Sequence, residues 1–459
     1  MLSTTLFPFD GSIRIRLDVC FLLVCCLFVV GQTHAEENKQ PTNIVLIMAD
    51  DMGYECLGCN GAADYQTPYL DLLAKQGTRM THCYSQPLCT PSRVQIMTGK
   101  YNHHNYVEFG YLRPEEKTFG HLLKQAGYRT CIAGKWQLNG LTYKMPGYAD
   151  TMRPKKAGFD RSCLWQVTQP KPKGERYENP LIEVDGQVLE KQQGEYGPQL
   201  FADYVCEFIQ EESAKPFFVY YPMVLVHDPF VPTPDSADWN PHKKQKSKTK
   251  YFAEMMAYTD KVVKQIDEAL KQAGVRENTL LIFTADNGTH RSITTSMADG
   301  TEIRGGKGLT TMAGTHVPMV VSWPGKLKCS ETMTDLIDFT DLYPTLAEVA
   351  GVDVGKEQLD GRSFLPRLLG KKGNPRDWVF CHYDPRWGKL SQHRARFAQN
   401  EAYKLYHDGR FYQLTNDVLE QMEITPSDEM TRQQKAKLQR ILDQMPPWPE
   451  EAPPRGKAK

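Results

Sequence analysis

The 459-residue sequence lacks an excess of either charge, because 55 Lys and Arg residues balance 55 Asp and Glu residues. A chain without net charge has no general attraction to nucleic acid or acidic surfaces, so we expect no nucleic-acid partner. The sequence has no internal repeats, and no apolar run after residue 35 reaches transmembrane length. We therefore expect no stable membrane insertion.

The sequence also lacks a complete zinc-binding pattern. Cys56 and Cys59 have zinc-ligand spacing, but no second pair of cysteines matches them, so they indicate core packing or a disulfide. Three of the twelve cysteines, Cys20, Cys25 and Cys26, lie in the N-terminal apolar segment. Export would permit disulfides among the others, whose pairing the sequence does not determine.

The first 35 residues have the order of a secretory signal peptide. Arg14 and Arg16 precede an apolar run from Val19 to Val30, and Ala35 ends the segment with a small residue. The run is short for a bilayer span, and an anchored N-terminal helix is the alternative. We expect the mature protein to be secreted or periplasmic, or lysosomal if the host is eukaryotic.

The rest of the chain has the composition of a globular protein, with 40% hydrophobic and 24% charged residues. Alternating strand and helix patterns up to about Gly351 predict an α/β sandwich whose strand ends share one edge. Beyond that, short strand-like segments and one polar helix predict a small antiparallel sheet. The predicted divisions are a signal peptide (1–35), a catalytic domain (36–375), a small C-terminal α+β subdomain (376–445) and a disordered tail (446–459).

Two apolar strand segments are followed directly by oxygen ligands. One precedes Asp50 and Asp51, and the other precedes Asp286 and Asn287. Adjacent carboxylates repel each other unless a cation holds them, although a helix N-cap beside a solvated neighbour is the alternative for the first pair. A set that offers only oxygen suits Ca²⁺ or Mg²⁺ and excludes a zinc thiolate site.

The segment Cys89-Thr90-Pro91-Ser92-Arg93 places a thiol beside a predicted helix start. Pro91 suits the first helical position and Thr90 suits the N-cap. Cys89 would then lie at a helix N-terminus, where free N–H groups favour anions, with Arg93 one turn later. A buried structural cysteine in a capped helix is the alternative.

Further polar residues follow other predicted strands. Lys135 ends one strand after a glycine, His227 lies beyond another, and Lys307 lies in a glycine-rich loop. Taken singly, these residues suit solvated or structural positions equally well. Together with Arg93 and a metal, they describe a pocket for a tetrahedral anion or its ester.

The Cys89–Arg93 segment and the Gly127–Lys135 segment resemble the two signatures of the sulfatases, and residues 42–415 as a whole resemble this family. The resemblance implies an alkaline-phosphatase-like fold with a large mixed, mostly parallel sheet flanked by helices. A small C-terminal antiparallel sheet with one helix completes that fold.

The resemblance also implies cofactors and a maturation partner. Asp50, Asp51, Asp286 and Asn287 would hold Ca²⁺, with Mg²⁺ as the alternative. A formylglycine-generating enzyme would convert Cys89 to formylglycine, whose hydrated aldehyde also contacts the metal.

The implied reaction is hydrolysis of sulfate esters on a sulfated small molecule or glycan. One hydroxyl of the hydrated aldehyde, activated near Arg93 and the metal, attacks sulfur. Lys135 and Lys307 bind the sulfate oxygens, and His227 helps to protonate the leaving alcohol. The second hydroxyl then expels sulfate by re-forming the aldehyde.

Gln137 departs from the family pattern, which usually has histidine at this position as the proposed base for sulfate release. A glutamine amide can donate and accept hydrogen bonds but cannot take up a proton at neutral pH. We therefore expect another group or water to take the proton, or turnover to be slow.

Two other functions remain open from the sequence. One is a phosphodiesterase or phosphonate monoester hydrolase of the same superfamily, and the other is a sulfated-glycan binding protein with impaired turnover. In either case, and for a sulfatase, the loops at residues 164–200 and 230–250 are expected to select the substrate.

Overall fold

The computed structural model describes residues 42–169, 176–242, 245–415 and 417–447. The predicted signal peptide and residues 448–459 of the predicted tail lie outside these ranges. Within the described ranges, no helix combines the length and apolar character needed to cross a membrane.

A mixed eleven-stranded sheet forms the centre of the fold, a two-stranded hairpin lies apart from it, and a four-stranded sheet lies near the C-terminus. Over the described ranges the strands are, in chain order, β1 (Asn43–Ala49), β2 (Thr78–Tyr84), β3 (Arg129–Lys135), β4 (Arg161–Trp165), β5 (Glu183–Val184), β6 (Gln187–Val188), β7 (Phe217–Pro222), β8 (Thr279–Ala285), β9 (Thr294–Ser296), β10 (Glu302–Arg304), β11 (His316–Ser322), β12 (Glu331–Met333), β13 (Ile337–Asp338), β14 (Val379–Tyr383), β15 (Ala395–Gln399), β16 (Tyr403–Tyr406) and β17 (Phe411–Gln413).

Two groups of helices flank the large sheet: α1, α6 and α7 pack together, and α2, α4 and α9 pack together. The helices of the described ranges are α1 (Pro68–Gln76), α2 (Cys89–Thr98), α3 (Asn102–Asn105), α4 (Phe119–Gln125), α5 (Arg153–Lys156), α6 (Gly197–Glu212), α7 (Tyr251–Gln272), α8 (Met312–Thr315), α9 (Leu342–Val349), α10 (Leu365–Leu368) and α11 (Glu429–Gln444).

The centre of the large sheet is parallel, in the order β8-β1-β7-β3-β4. Every residue of β1, β7 and β8 is buried, which explains their continuous apolar sequences. Because the five strands run the same way, their carboxyl ends meet at one edge. Strand β2 also runs in this direction, since it is antiparallel to β11, which is itself antiparallel to β8. The segment after β2 therefore enters α2 from the same edge.

The C-terminal sheet has the order β14-β15-β16-β17 with antiparallel pairing throughout. Helix α11 packs on β15 and β16, and its buried Leu438 and Leu442 belong to one apolar cluster with Phe380, Leu405 and Phe411. The predicted fold class is confirmed, both for the large mixed sheet flanked by helices and for the small antiparallel sheet with one helix.

The nine cysteines of the described ranges are all free. Cys56 is fully buried in the main core, and Cys59 packs against its margin. Of the two interpretations of this pair, core packing is therefore the one that the structure supports.

Candidate active site

The carboxyl edge of the large sheet gathers the predicted site residues from separate parts of the chain. Asp50 and Asp51 follow β1, Lys135 ends β3, His227 lies beyond β7, Asp286 and Asn287 follow β8, Cys89 and Arg93 lie in α2, and Lys307 lies in the loop before α8. They form one cluster of charged and polar side chains at this edge.

Asp50 and Lys135 form a fully buried ion pair. The Lys135 Nζ atom lies 2.7 Å from Asp50 Oδ2, and the two side chains are 1% and 0% exposed. Burial alone would raise the pKa of Asp50, but Lys135, followed by Arg93, holds this pKa below its ordinary value. Asp50 is therefore an ionised carboxylate.

Arg93, near the start of α2, forms a buried ion pair with Asp286. Its Nε and Nη2 atoms donate to Asp286 Oδ2 at 3.1 and 2.9 Å, and its Nη1 atom donates to the carbonyl oxygen of Lys135 at 3.1 Å. Asp286 Oδ1 accepts from the backbone N–H of Asp51 at 3.1 Å. Burial and then the charge of Asp50 raise the pKa of Asp286 to about 7, against the opposing effect of Arg93.

Asp51 accepts hydrogen bonds from two further site residues, Lys307 and Asn287. Lys307 Nζ donates to its Oδ2 atom at 2.5 Å, and Asn287 Nδ2 donates to its Oδ1 atom at 2.8 Å. Lys307 Nζ also lies 2.9 Å from His227 Nε2, while His227 Nδ1 lies 2.5 Å from the carbonyl oxygen of Asp228. Burial and then Lys307 lower the pKa of His227 well below its ordinary value. A neutral imidazole that donates from Nδ1 and accepts at Nε2 satisfies both contacts.

The oxygen ligands of this cluster fit a metal ion. Asp50 Oδ1 and Asn287 Oδ1 are buried and have no hydrogen-bond partner, which is costly for a polar atom unless a ligand satisfies it. Ligand atoms of Asp50, Asp51 and His227 lie within 4.8 Å of one another. A buried Asp-Asp-His group could thus bind a metal, and His227 is a possible ligand that sequence reasoning did not include.

Helix α2 begins at Cys89, so the predicted start at Pro91 with a Thr90 cap is wrong. Leu88 is the N-cap residue and provides no side-chain cap. The hydroxyl of Thr90 instead accepts from the backbone N–H of Gly110 at 3.1 Å. The prediction failed because the first-turn N–H groups of a helix have no partner within it, so proline fits several positions there.

Cys89 lies in the first turn of α2, as expected, and its side chain is buried. Burial raises the pKa of its thiol above the ordinary value, with Lys135 acting in the opposite direction. The carboxylates of Asp286 and Asp50 raise this pKa further and Lys307 lowers it, so the thiol lies close to the charged cluster.

Gln137 follows β3 at the same edge. It has a left-handed backbone with φ 49°, and its N–H donates to the carbonyl oxygen of Gln166 at 3.2 Å. Its side-chain Oε1 atom is buried without a hydrogen-bond partner. The structure thus places Gln137 near the cluster but joins it to none of the charged residues by a hydrogen bond.

Sequence reasoning missed Arg176, which is buried beside the cluster. Its guanidinium carbon lies 4.1 Å from the ring centre of Trp165, the last residue of β4. A single arginine in a loop belongs to no periodic pattern or motif. Its role becomes visible only from its stacking on Trp165 in the folded chain.

The sulfatase family model matches residues 42–352, and the model for the C-terminal region of N-sulphoglucosamine sulphohydrolase matches residues 307–446. Human arylsulfatase A is 31% identical over 75% of this chain and 71% of its own length. A sulfatase from Formosa agariphila is 27% identical over 86% of each chain. A protein solved in complex with its substrate D-glucosamine-2-N,6-O-disulfate has the same fold, with a TM-score of 0.69, 20% identity and coverage of 88% of this chain and 97% of its own.

Replacing Arg93 with methionine should lower the free energy of unfolding by about 3–5 kcal/mol, because Asp286 would keep its buried position without a cation partner. The matched control is Arg410→Met, which breaks an ion pair with Asp408 whose side chains are each 43% exposed. That control should cost less than about 1 kcal/mol. Urea unfolding of both variants measures the difference, and equal losses would contradict the importance of the buried pair.

Proposed function

Since the chain belongs to the sulfatase family, whose members are sulfuric ester hydrolases, we propose that it hydrolyses sulfate esters of a sulfated carbohydrate. The observation that carries the proposal is the position of Cys89, which opens a helix beside Lys135 and Lys307, whose charges lower the pKa of its thiol against the effect of burial. The sugar disulfate bound by the fold relative described above supports a carbohydrate as the substrate class.

We infer that Asp50, Asp51, Asp286 and Asn287 hold Ca²⁺, since they offer oxygen atoms alone and two of these atoms lack hydrogen-bond partners. When bound, the ion would supply positive charge that stabilises the negative charge developing on the sulfate group. With their carboxylate partners held by the ion, Lys135 and Lys307 would be free to bind the anion of the substrate.

We infer that Cys89 is converted to formylglycine. When formed, this residue would supply an aldehyde whose hydrate offers one hydroxyl as the nucleophile and a second to expel sulfate. Arg93 would position that residue from the next turn of α2, while its guanidinium remains fixed by Asp286.

The Lys307–His227 pair is the source of the proton that the leaving alcohol needs. The two nitrogens lie 2.9 Å apart, and the pKa of His227 is lowered first by burial and then by Lys307. Lys307 therefore holds the proton, and His227, whose Nε2 atom accepts a hydrogen bond from Lys307, helps to direct that proton to the leaving oxygen. Lys135, which lies across the pocket on β3, binds a sulfate oxygen.

The direct test combines mass spectrometry with an assay of paired esters. In protein purified from its native host, we expect the peptide Met80–Arg93 to carry an aldehyde in place of the Cys89 thiol. The same protein should release sulfate from aryl sulfates and much less phosphate from the matched aryl phosphates, and Cys89→Ala should release neither. An intact thiol would contradict the formylglycine mechanism, while preferred phosphate release would favour a phosphodiesterase or phosphonate monoester hydrolase.

Ca²⁺ added to chelator-treated protein should raise the thermal unfolding midpoint, because a ligand present at 100 times its Kd adds about 2.7 kcal/mol to the folded state. Asp51→Asn should abolish this shift. The matched control is Asp228→Asn, because Asp228 lies beside the site but is 46% exposed, and it should retain the shift. A midpoint that does not respond to Ca²⁺ in the unmodified chain would contradict the metal assignment.

Gln137→His should speed sulfate release, because histidine can accept a proton at neutral pH and glutamine cannot. We expect kcat for aryl sulfates to rise by up to about 100-fold, the lower end of general-base effects, with a smaller change in KM. Gln187→His, at an exposed residue of the edge strand β6, provides the control. A lower kcat in Gln137→His than in the unmodified chain would show that glutamine at this position does not limit sulfate release.

A further inference from the structure

Arg176 is a buried cation with unused hydrogen-bonding capacity. Its side chain is 9% exposed, and its Nη1 atom is buried without a hydrogen-bond partner. The guanidinium stacks on Trp165 at 4.1 Å, which compensates for part of the lost hydration but satisfies none of its N–H donors. Burying an unsatisfied charged donor is costly, so a ligand that accepts a hydrogen bond from Nη1 would stabilise this arrangement.

The position of Arg176 is fixed relative to the sulfate pocket by strand register. Trp165 pairs with Lys135 across β4 and β3, and the N–H of Trp136 donates to the carbonyl oxygen of Trp165 at 3.1 Å. The ring that supports Arg176 is thus the immediate neighbour of the lysine that pairs with Asp50. In agreement, burial and Lys307 lower the pKa of His227, and the charge of Arg176 lowers it further.

Arg176 differs from the other cations of the pocket in having no carboxylate partner. Asp50 pairs with Lys135, Asp286 with Arg93 and Asp51 with Lys307, as described above. Arg176 forms no ion pair with any residue of the four described ranges. Its charge is therefore left available for an anion.

Two unsatisfied acceptors follow the ends of β3 and β4, the second of which carries the ring on which Arg176 stacks. The Oε1 atoms of Gln137 and Gln166 are buried and unpartnered, and the two backbones are joined by the 3.2 Å hydrogen bond between strand ends. A ligand that supplies hydroxyl donors to the glutamines and an oxyanion to Arg176 would satisfy all three residues. An anionic sugar has both kinds of group.

We propose that Arg176 is a substrate-binding residue that recognises a second anionic group, a carboxylate or a further sulfate, near the sulfate ester that is cleaved. The proposal rests on the proposed sulfatase function and narrows its substrate class to sulfated carbohydrates with at least two negative charges. A guanidinium suits either group, because both present paired oxygens to its planar N–H donors.

The test compares aryl sulfates that differ only in a second charge. The probes are 3- and 4-carboxyphenyl sulfate with their methyl esters, and the disulfates of resorcinol and hydroquinone with the corresponding monosulfates, so that each pair differs in the second charge. For the unmodified chain, we expect kcat/KM for at least one doubly charged ester to exceed that for its singly charged partner at least tenfold. Arg176→Met should reduce this ratio to near one, and Arg176→Lys should keep part of it. The carboxylate and disulfate probes distinguish the two sources of the second charge.

The matched control is Arg153→Met, which removes another buried arginine that stacks on an aromatic ring, Tyr111, at 5.7 Å. Its ratio should equal that of the unmodified chain. A ratio near one in the unmodified chain, or an equal loss for singly and doubly charged esters in Arg176→Met, would overturn the proposal. If no ester releases sulfate, the proposed function fails. The role of Arg176 is then tested by calorimetry, as the ratio of the affinities for doubly and singly charged probes in the unmodified chain and in Arg176→Met.

Discussion

The site depends on charges that are held out of water at the edge of a parallel sheet. Lys135 and Asp50 are 1% and 0% exposed, so each is tolerable only while the other lies at hydrogen-bond distance. Asp50 follows β1 and Lys135 ends β3, so the pair spans the intervening strand β7. The backbone of β3 lies close to β7 at Gly134. This glycine has φ 109°, and a Cβ atom there would lie 2.2 Å from the carbonyl oxygen of Pro222. The ion pair and the close contact at Gly134 therefore both require the same alignment of β3 against β7.

Backbone conformation at this edge follows from the same constraint. Asp51, Gln137 and Gln166 each follow a central strand with a left-handed φ, at 64°, 49° and 61°. For residues with a Cβ atom this conformation costs roughly 1 kcal/mol each, so the surrounding structure must enforce it. The turn lets the chain leave each strand abruptly while polar groups remain beside the pocket. Three of the nine non-glycine residues with a positive φ in the described ranges thus lie at the ends of these central strands.

Strand-end residues could be predicted from sequence because two simple rules combine. Continuous apolar segments identify buried parallel strands, and parallel strands end at one edge, so Asp50 and Asp286 could be expected together. The start of α2 was predicted wrongly because proline does not distinguish among first-turn positions. Arg176 could not be found, since its position depends on Trp165, a partner in another element, and no periodic pattern connects the two residues. Tertiary stacking leaves no local trace in a single sequence.

The small C-terminal sheet contributes to the site through the loop that carries Lys307. The hydroxyl of Tyr383, on β14, donates to the carbonyl oxygen of Gly308 at 3.3 Å, and that of Tyr406, on β16, donates to the carbonyl oxygen of Thr310 at 3.1 Å. On the other side, the N–H of Gly308 donates to the carbonyl oxygen of Pro87 at 2.7 Å, two residues before Cys89. The loop is therefore held between the smaller sheet and the segment that leads into α2. A lysine on a flexible stem gains a defined position only when its backbone is fixed on both sides, and the C-terminal sheet supplies one of those sides.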